Sequence, residues 1–278
     1  MEATAAAERR GGAPPRGRHL LLLAVAACAA RPAPPAIDAA EVEAARRSIA
    51  AAPPPAAQPR SAEGSAAMLA SAAGRVAAAA EPVCAAHLNR ACAFTVRLDP
   101  SDTPRAAAHG QGQVTLTAGM VRLVETEDEL AAVVAHEFGH HIAGHLGRQR
   151  ARGTVAGTVA STVVGAVVPF GGLAGLVIGQ GAAQLGAGAA RLAYSKAEER
   201  EADYLGAYLV ARAGYDLERA GDLWARLARP DAAARGGGVA GLLATHPAEA
   251  ERLAAWRRTA EEIRASPDLM PRRAGAAR

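Results

Sequence analysis

Residues 126–140 read TEDELAAVVAHEFGH and predict the helix around which the rest of the chain folds. Thr126 can cap the first turn, with Glu129 reaching back as the second half of a capping box. Leu130 and Val134 are four residues apart, so they lie on one apolar face. The segment is therefore expected to be a helix that starts at a defined residue and packs one face against a core.

The same helix carries the pattern His-Glu-x-x-His as His136-Glu137-Phe-Gly-His140. Residues four apart on a helix lie on one face, about 6 Å apart, so both imidazoles can bind one zinc ion. Glu137 can reach a water molecule at that metal and serve as the general base in peptide hydrolysis. Gly139 leaves room for another backbone or side chain to come close. The pattern therefore predicts a zinc site with His136 and His140 as ligands.

A third ligand is predicted on a later helix, which a second capping box opens at Ser195–Glu198 and which ends near Gly214. Glu199 and Asp203 are one turn apart on the same face, so one can bind the metal while the other orients a ligand imidazole. We assign Glu199 as the ligand and Asp203 as the orienting residue, and exclude Glu201 because it is rotated by about 200° at 100° per residue. The alternative is a solvated acidic face, favoured by the helix dipole.

Two more histidines follow the zinc motif in the chain. His141 and His145 are rotated by about 140° and 180° from His136 if the helix continues, so we expect them at the surface or behind the ligands.

Together these motifs resemble the HtpX and CAAX-prenyl-protease type of zinc metallopeptidase, in particular its exported single-domain bacterial members, which include outer-membrane quality-control proteases. The resemblance covers residues 61–258 and includes the segments Ala213–Asp216 and Thr245–Arg252. It implies a zincin-like core, endopeptidase activity and one zinc ion per chain. It also makes His246 and Arg252 candidate catalytic residues that assist the oxyanion. Alternatively, His246 fills the fourth zinc position in a resting state or begins the last helix, and Arg252 forms a structural ion pair.

The remaining pattern predicts an α+β fold that is mainly helical with a small sheet. Alternation in residues 94–98 and 113–118 indicates two strands ahead of the active helix. The second strand is expected to offer an edge to an extended peptide substrate. Residues 153–190 contain no charged side chain and are expected to form two helices or a lid, with peripheral membrane contact or a membrane-embedded protease as the alternatives.

The N-terminus is typical of an exported lipoprotein. A basic stretch precedes the apolar run 20–27 and Cys28, which indicates a signal peptide over residues 1–27 and lipidation of Cys28. The alternative is ordinary cleavage with Cys28 incidental. We expect a Pro- and Ala-rich lipidated tether over 28–60, a zinc metalloprotease domain over 61–265 and a flexible tail over 266–278. The protein is then periplasmic and held on a membrane, with the outer membrane preferred.

Cys84 and Cys92 are expected to form a disulfide in the oxidising compartment, although two unpaired buried cysteines are the alternative. The net charge is only +4 and aromatic residues make up 3% of the chain, which argues against a nucleic-acid partner. The expected partners are unfolded envelope proteins as substrates and a membrane through the lipid anchor. A lipid-anchored assembly factor or chaperone that keeps a zinc site without cutting is the other function considered.

Overall fold

A computed structural model describes residues 31–88, 91–152, 194–232 and 239–274 of the chain. The strands are β1 (Thr95–Asp99), β2 (Ala106–Ala108) and β3 (Gln113–Thr117). Residues 145–152 are helical, and the named helices are α1 (Ala39–Ala51), α2 (Ala62–Leu88), α3 (Ala118–Leu123), α4 (Glu127–Ile142), α5 (Lys196–Arg212), α6 (Leu217–Leu227), α7 (Val239–Thr245) and α8 (Ala250–Arg264). The prediction of a mainly helical α+β fold is confirmed.

The strands form one sheet in the order β1-β3-β2. β1 runs parallel to β3, with Val96 opposite Val114, and β2 runs antiparallel to it, with Ala107 opposite Thr115. The prediction that the strand beginning at Gln113 offers an edge is therefore wrong, because β3 is paired on both sides. The outer positions belong to β1 and β2. Three consecutive alanines carry no β-branched or aromatic signal, which is why the sequence did not indicate β2.

Helix α4 begins where its sequence predicts, but only half of the capping box forms. The Thr126 side chain accepts a hydrogen bond from the backbone N–H of Glu129, whereas the Glu129 carboxylate accepts from the N–H of Glu125. Both oxygens of Glu129 also bind Arg226 of α6, at 2.7 and 2.6 Å. This buried ion pair fixes the start of α4 against α6.

Helices α4 and α5 pack closely because glycines face the contact. A Cβ on Gly139 would lie 2.5 Å from the carbonyl oxygen of Ala202, and one on Gly206 would lie 3.2 Å from the backbone nitrogen of His136. The close approach predicted at Gly139 is thus made by the backbone of α5. It brings the acidic residues of α5 within reach of the α4 histidines.

Both ends of the described chain pack on the domain, unlike the predicted tether and tail. Helix α1 lies against α8 and buries Ala45 and Ile49, which are four residues apart and share one face. Pro32 and Arg273 form an antiparallel bridge, and the N–H of Ala33 donates to the carbonyl of Arg272. The folded domain therefore extends beyond 61–265 to include residues 32–60 and 266–274.

Cys84 and Cys92 are joined by a disulfide that links the end of α2 to the segment before β1. No helix within the described ranges is long and apolar enough to cross a bilayer. The predicted signal peptide, Cys28 and the uncharged stretch 153–190 lie outside the described residues.

Candidate metal centre

Two imidazoles from α4 form the middle of the site. Nε2 of His136 lies 3.0 Å from Nε2 of His140, and the exposed fractions of the two residues are only 3% and 0%. Their spacing of one helical turn puts both rings on the face of α4 that meets α5.

Glu199 reaches the same point from the first turn of α5. Both halves of the capping box between Ser195 and Glu198 are present, which fixes where this helix begins. Oε1 of Glu199 is 3.4 Å from Nε2 of His140, and Oε2 is 3.5 Å from Nε2 of His136. Tetrahedral zinc sites with bonds of about 2.0–2.2 Å place their ligand atoms about 3.3–3.6 Å apart. The three donors are therefore spaced closely enough to share one such ion.

His246 adds a fourth donor from the loop that follows α7. Its Nδ1 lies 3.2 Å from both Nε2 of His136 and Oε1 of Glu199. The donor atoms of His136, His140, Glu199 and His246 all lie within 4.8 Å of one another. Burial alone would lower the pKa of His246, but the carboxylates of Glu137 and Glu199 outweigh it and raise that pKa.

Asp203 holds His136 from behind. Its Oδ1 accepts a hydrogen bond from Nδ1 of His136 at 2.8 Å, as expected of the orienting residue. Arg252 of α8 donates to both oxygens of Asp203 and to the carbonyl of Pro247, and it forms an ion pair with Glu199. These contacts match the structural ion pair that is the alternative to the oxyanion role of Arg252, and the oxyanion role itself stays a prediction.

His140 is backed by a longer chain of groups. Its Nδ1 lies 2.7 Å from Nδ1 of His145, whose Nε2 lies 3.1 Å from Oε2 of Glu201. Arg148 donates to the same oxygen at 2.9 Å. Burial lowers the pKa of His145, which favours its neutral form.

These hydrogen bonds fix which ring nitrogens carry protons. The carboxylates of Asp203 and Glu201 can only accept, so neutral His136 is protonated on Nδ1 and neutral His145 on Nε2. Nδ1 of His145 must then accept, so His140 is also protonated on Nδ1. Both Nε2 lone pairs therefore point at each other without a proton between them. Such a pair of facing lone pairs next to a carboxylate fits a bound metal cation.

Glu137 lies beside this cluster with one oxygen free. The residue is 1% exposed, and its Oε2 has no hydrogen-bond partner among the described residues. Its Oε1 is 3.6 Å from Nε2 of His246. A buried carboxylate oxygen without a partner can take a proton, as a general base must. A mainly apolar cavity adjoins Glu137 and His136, with walls formed by Met120, Val133, Trp224 and Leu227.

His141 and His145 were expected at the surface or behind the ligands, and the structure places His145 behind His140. Nε2 of His141 donates to the carbonyl of Gln113, away from the cluster. The 180° rotation assigned to His145 assumed a continuous helix, but α4 ends at Ile142 and the chain turns at Gly144 with φ of +73°. Its only sequence signal is a histidine that follows a glycine just after the motif.

Two further residues contact the site without having been predicted. Glu201 was excluded for its rotation from Glu199, and the structure does place it on another face, where it binds His145. The ring of Tyr194 stacks on His140 with centroids 3.8 Å apart. Nothing in the spacing of Tyr194 indicated that contact.

Comparison with known proteins supports a peptidase. Residues 70–260 match the profile of peptidase family M48. The chain is also 28% identical over 176 residues to the mitochondrial metalloendopeptidase OMA1 of Saccharomyces cerevisiae, which covers 59% of this chain and 47% of OMA1. The aligned region thus spans about half the length of that relative. Because the family match covers more than half of the chain, this protein belongs to peptidase family M48 and is a metallopeptidase.

Proposed function

We propose that the protein is a zinc-dependent endopeptidase of the bacterial cell envelope that cleaves misfolded or unassembled exported proteins. The observation that carries the proposal is the buried cluster of His136, His140 and Glu199, beside which Oε2 of Glu137 has no hydrogen-bond partner among the described residues. Two imidazoles and one carboxylate are a ligand set that catalytic zinc sites use. OMA1, by its name a metalloendopeptidase, supports cleavage within a polypeptide.

Different residues of the site bind the metal, transfer the proton and position the ligands during hydrolysis. His136, His140 and Glu199 would hold one zinc ion per chain, which when bound polarises a carbonyl and lowers the pKa of water towards about 7. Glu137 takes the proton of the attacking water and delivers it to the leaving amine. Asp203 and Arg252 keep His136 and Glu199 in position. His246 reaches both Glu199 and Glu137, so it either fills the fourth position at rest or assists the oxyanion.

The substrate backbone has an edge strand to pair with. Within the described part of the chain, β2 pairs with β3 on one side only, and it packs against α4, which carries the catalytic motif. An extended peptide added to β2 would be recognised through its main chain, with loose sequence preference. The apolar cavity next to Glu137 measures only about 20 Å³, room for about one water molecule, so it does not by itself select a substrate side chain. Unfolded chains expose their main chain, so they suit pairing with an edge strand.

The envelope location rests on the N-terminal pattern and on the disulfide. Cys84 and Cys92 are paired, and such bonds persist in oxidising compartments such as the periplasm. Lipidation at Cys28 would hold the protein on a membrane, with the outer membrane preferred. Replacement Cys28→Ala should move the protein from the membrane fraction to the soluble fraction. Unchanged membrane association would contradict the lipid anchor.

Comparison of the full-length protein with its Glu137→Gln variant tests the enzymatic proposal. Zinc content should be equal, about one ion per chain, because Glu137 is not a ligand. Cleavage of a reduced, unfolded test protein should fall by about 10²–10⁴-fold. Glu261→Gln, on the exposed side of α8, is the matched control and should cleave normally. Full zinc occupancy without any Glu137-dependent cleavage would instead favour the non-proteolytic assembly factor.

A further inference from the structure

We propose that His145 is a positioning residue for the metal centre: its Nδ1 accepts a hydrogen bond from Nδ1–H of His140 and so keeps Nε2 of His140 free to bind metal. This inference rests on the proposed zinc site and deepens it. His145 would do for His140 what Asp203 does for His136.

The contacts of His145 leave it little choice of orientation. The residue has no exposed surface, and both ring nitrogens are engaged, Nδ1 with His140 at 2.7 Å and Nε2 with Glu201 at 3.1 Å. Arg148 donates to the same Glu201 oxygen at 2.9 Å and to the carbonyl of Ala143 at 2.9 Å. Glu201 is thereby held as an acceptor, and its position decides which nitrogen of His145 carries the proton.

The two ligand histidines are supported in parallel ways from α5. On the His136 side, Asp203 accepts directly and is paired with Arg252. On the His140 side, Glu201 points from another face of α5, and the imidazole of His145 bridges the gap. In both cases a carboxylate paired with arginine ends the chain of hydrogen bonds. Groups that hydrogen-bond the second nitrogen of a metal-binding imidazole typically account for about 10–100-fold in metal affinity.

Removal of the acceptor should therefore weaken zinc binding. In His145→Phe, Nδ1–H of His140 faces an apolar ring, and the alternative tautomer would place a proton on the ligand nitrogen. We expect the zinc Kd, measured by competition with a chromogenic chelator, to rise about 10–100-fold. His145→Asn can offer its amide oxygen near the position of Nδ1 and should recover part of this loss.

Two more variants separate positioning from folding. Glu201→Gln lies at a less buried position and leaves His145 in place, so it should fold, and we expect its zinc Kd to rise about 3–10-fold. His87→Phe replaces another buried histidine, on α2 and outside the cluster, and should leave the zinc Kd within about twofold. If His145→Phe does not fold, the zinc Kd of Glu201→Gln alone tests the proposal.

NMR of the zinc-loaded protein with ¹⁵N-labelled histidine gives a readout independent of activity. The Nδ1–H proton of His140 should appear far downfield and exchange slowly in the wild type, and move upfield and exchange faster in His145→Phe. An unchanged His140 signal, or a zinc Kd within twofold of wild type in each of His145→Phe and Glu201→Gln that folds, would overturn the proposal. If the wild type itself binds no zinc, the proposed zinc peptidase fails instead.

Discussion

Arg252 donates a hydrogen bond to each carboxylate oxygen of Asp203, from Nε to Oδ2 at 2.7 Å and from Nη2 to Oδ1 at 2.7 Å. The two residues are 6% and 2% exposed. Burial alone would raise the pKa of Asp203, but Arg252 and His136 hold it below its usual value. Asp203 thus stays ionised and accepts from His136. The same guanidinium lies 2.7 Å from Glu199, so α8 supports two residues of the metal site through one side chain.

Replacement of Arg252 by methionine should therefore affect both stability and metal binding. Arg252→Met leaves the buried carboxylates of Asp203 and Glu199 without their cation, and loss of one partner of a buried pair costs about 3–5 kcal/mol. The free energy of unfolding in urea should fall by that amount, and the zinc Kd should rise. Arg252→Lys keeps the charge but not the two-pronged hydrogen bond, so it should lose less. A loss below about 1 kcal/mol in Arg252→Met would contradict this account.

A methyl group at Gly139 should force α4 and α5 apart. The added Cβ would lie 2.5 Å from the Ala202 carbonyl oxygen, which is backbone and cannot rotate away. Gly139→Ala should destabilise the protein by about 1–3 kcal/mol, as overpacking does. It should also weaken zinc binding, because the ligands come from both helices. Urea unfolding and zinc competition measure the two effects.

Gly74→Ala on α2 is the matched control for that substitution. Its added Cβ would meet no atom within 4 Å. Alanine is favoured over glycine inside a helix, so the control should stabilise the protein by about 0.5–1 kcal/mol. Equal effects at both positions would show that the contact with Ala202 is not what makes Gly139 necessary.

Local sequence patterns predicted the catalytic helix α4 and the residues of α4 and α5 that face each other at the metal centre. A helix of fixed pitch places His136, His140, Glu199 and Asp203 by arithmetic, because each pair is four residues apart. Helical rotation angles apply only within a continuous helix. His145 lies beyond the turn at Gly144, so its contact with His140 could not be predicted from such an angle.

Contacts between segments far apart in the sequence were not predicted either. Pro-rich composition indicated a free tether, yet α1 within it presents Ala45 and Ile49 to α8, a partner about 200 residues away in the chain. The order of the sheet was equally hidden, since β2 has only three alanines and pairs with a strand that was expected at an edge. Such pairings depend on which surfaces remain to be covered after the helices pack, and no local spacing records that.

Removal of His246 should speed cleavage while weakening metal binding. Its Nδ1 lies among the ligand atoms, and its Nε2 faces Glu137, so the ring covers both the metal position and the base. In His246→Ala we expect kcat/KM for an unfolded protein to rise several-fold and the zinc Kd to increase. A fall in kcat with zinc still bound would show instead that His246 assists the transition state.

Acid should weaken the protein partly through Glu198. Burial would raise the pKa of Glu198, but Arg152 and the cap at Ser195 outweigh it and lower that pKa to about 2. The unfolded chain, with a pKa near 4.5, takes up this proton first, so the stabilisation is complete above pH 4.5 and is lost as the pH falls towards 2.

Glu198→Gln can keep the capping box but cannot titrate. Urea unfolding between pH 7 and about pH 3 should therefore show the wild type more stable at neutral pH, with an advantage that shrinks below pH 4.5. Acid would release bound zinc from both proteins alike, so the difference between them isolates Glu198. A difference that stays constant with pH would mean that Glu198 is not ionised against these partners in the fold.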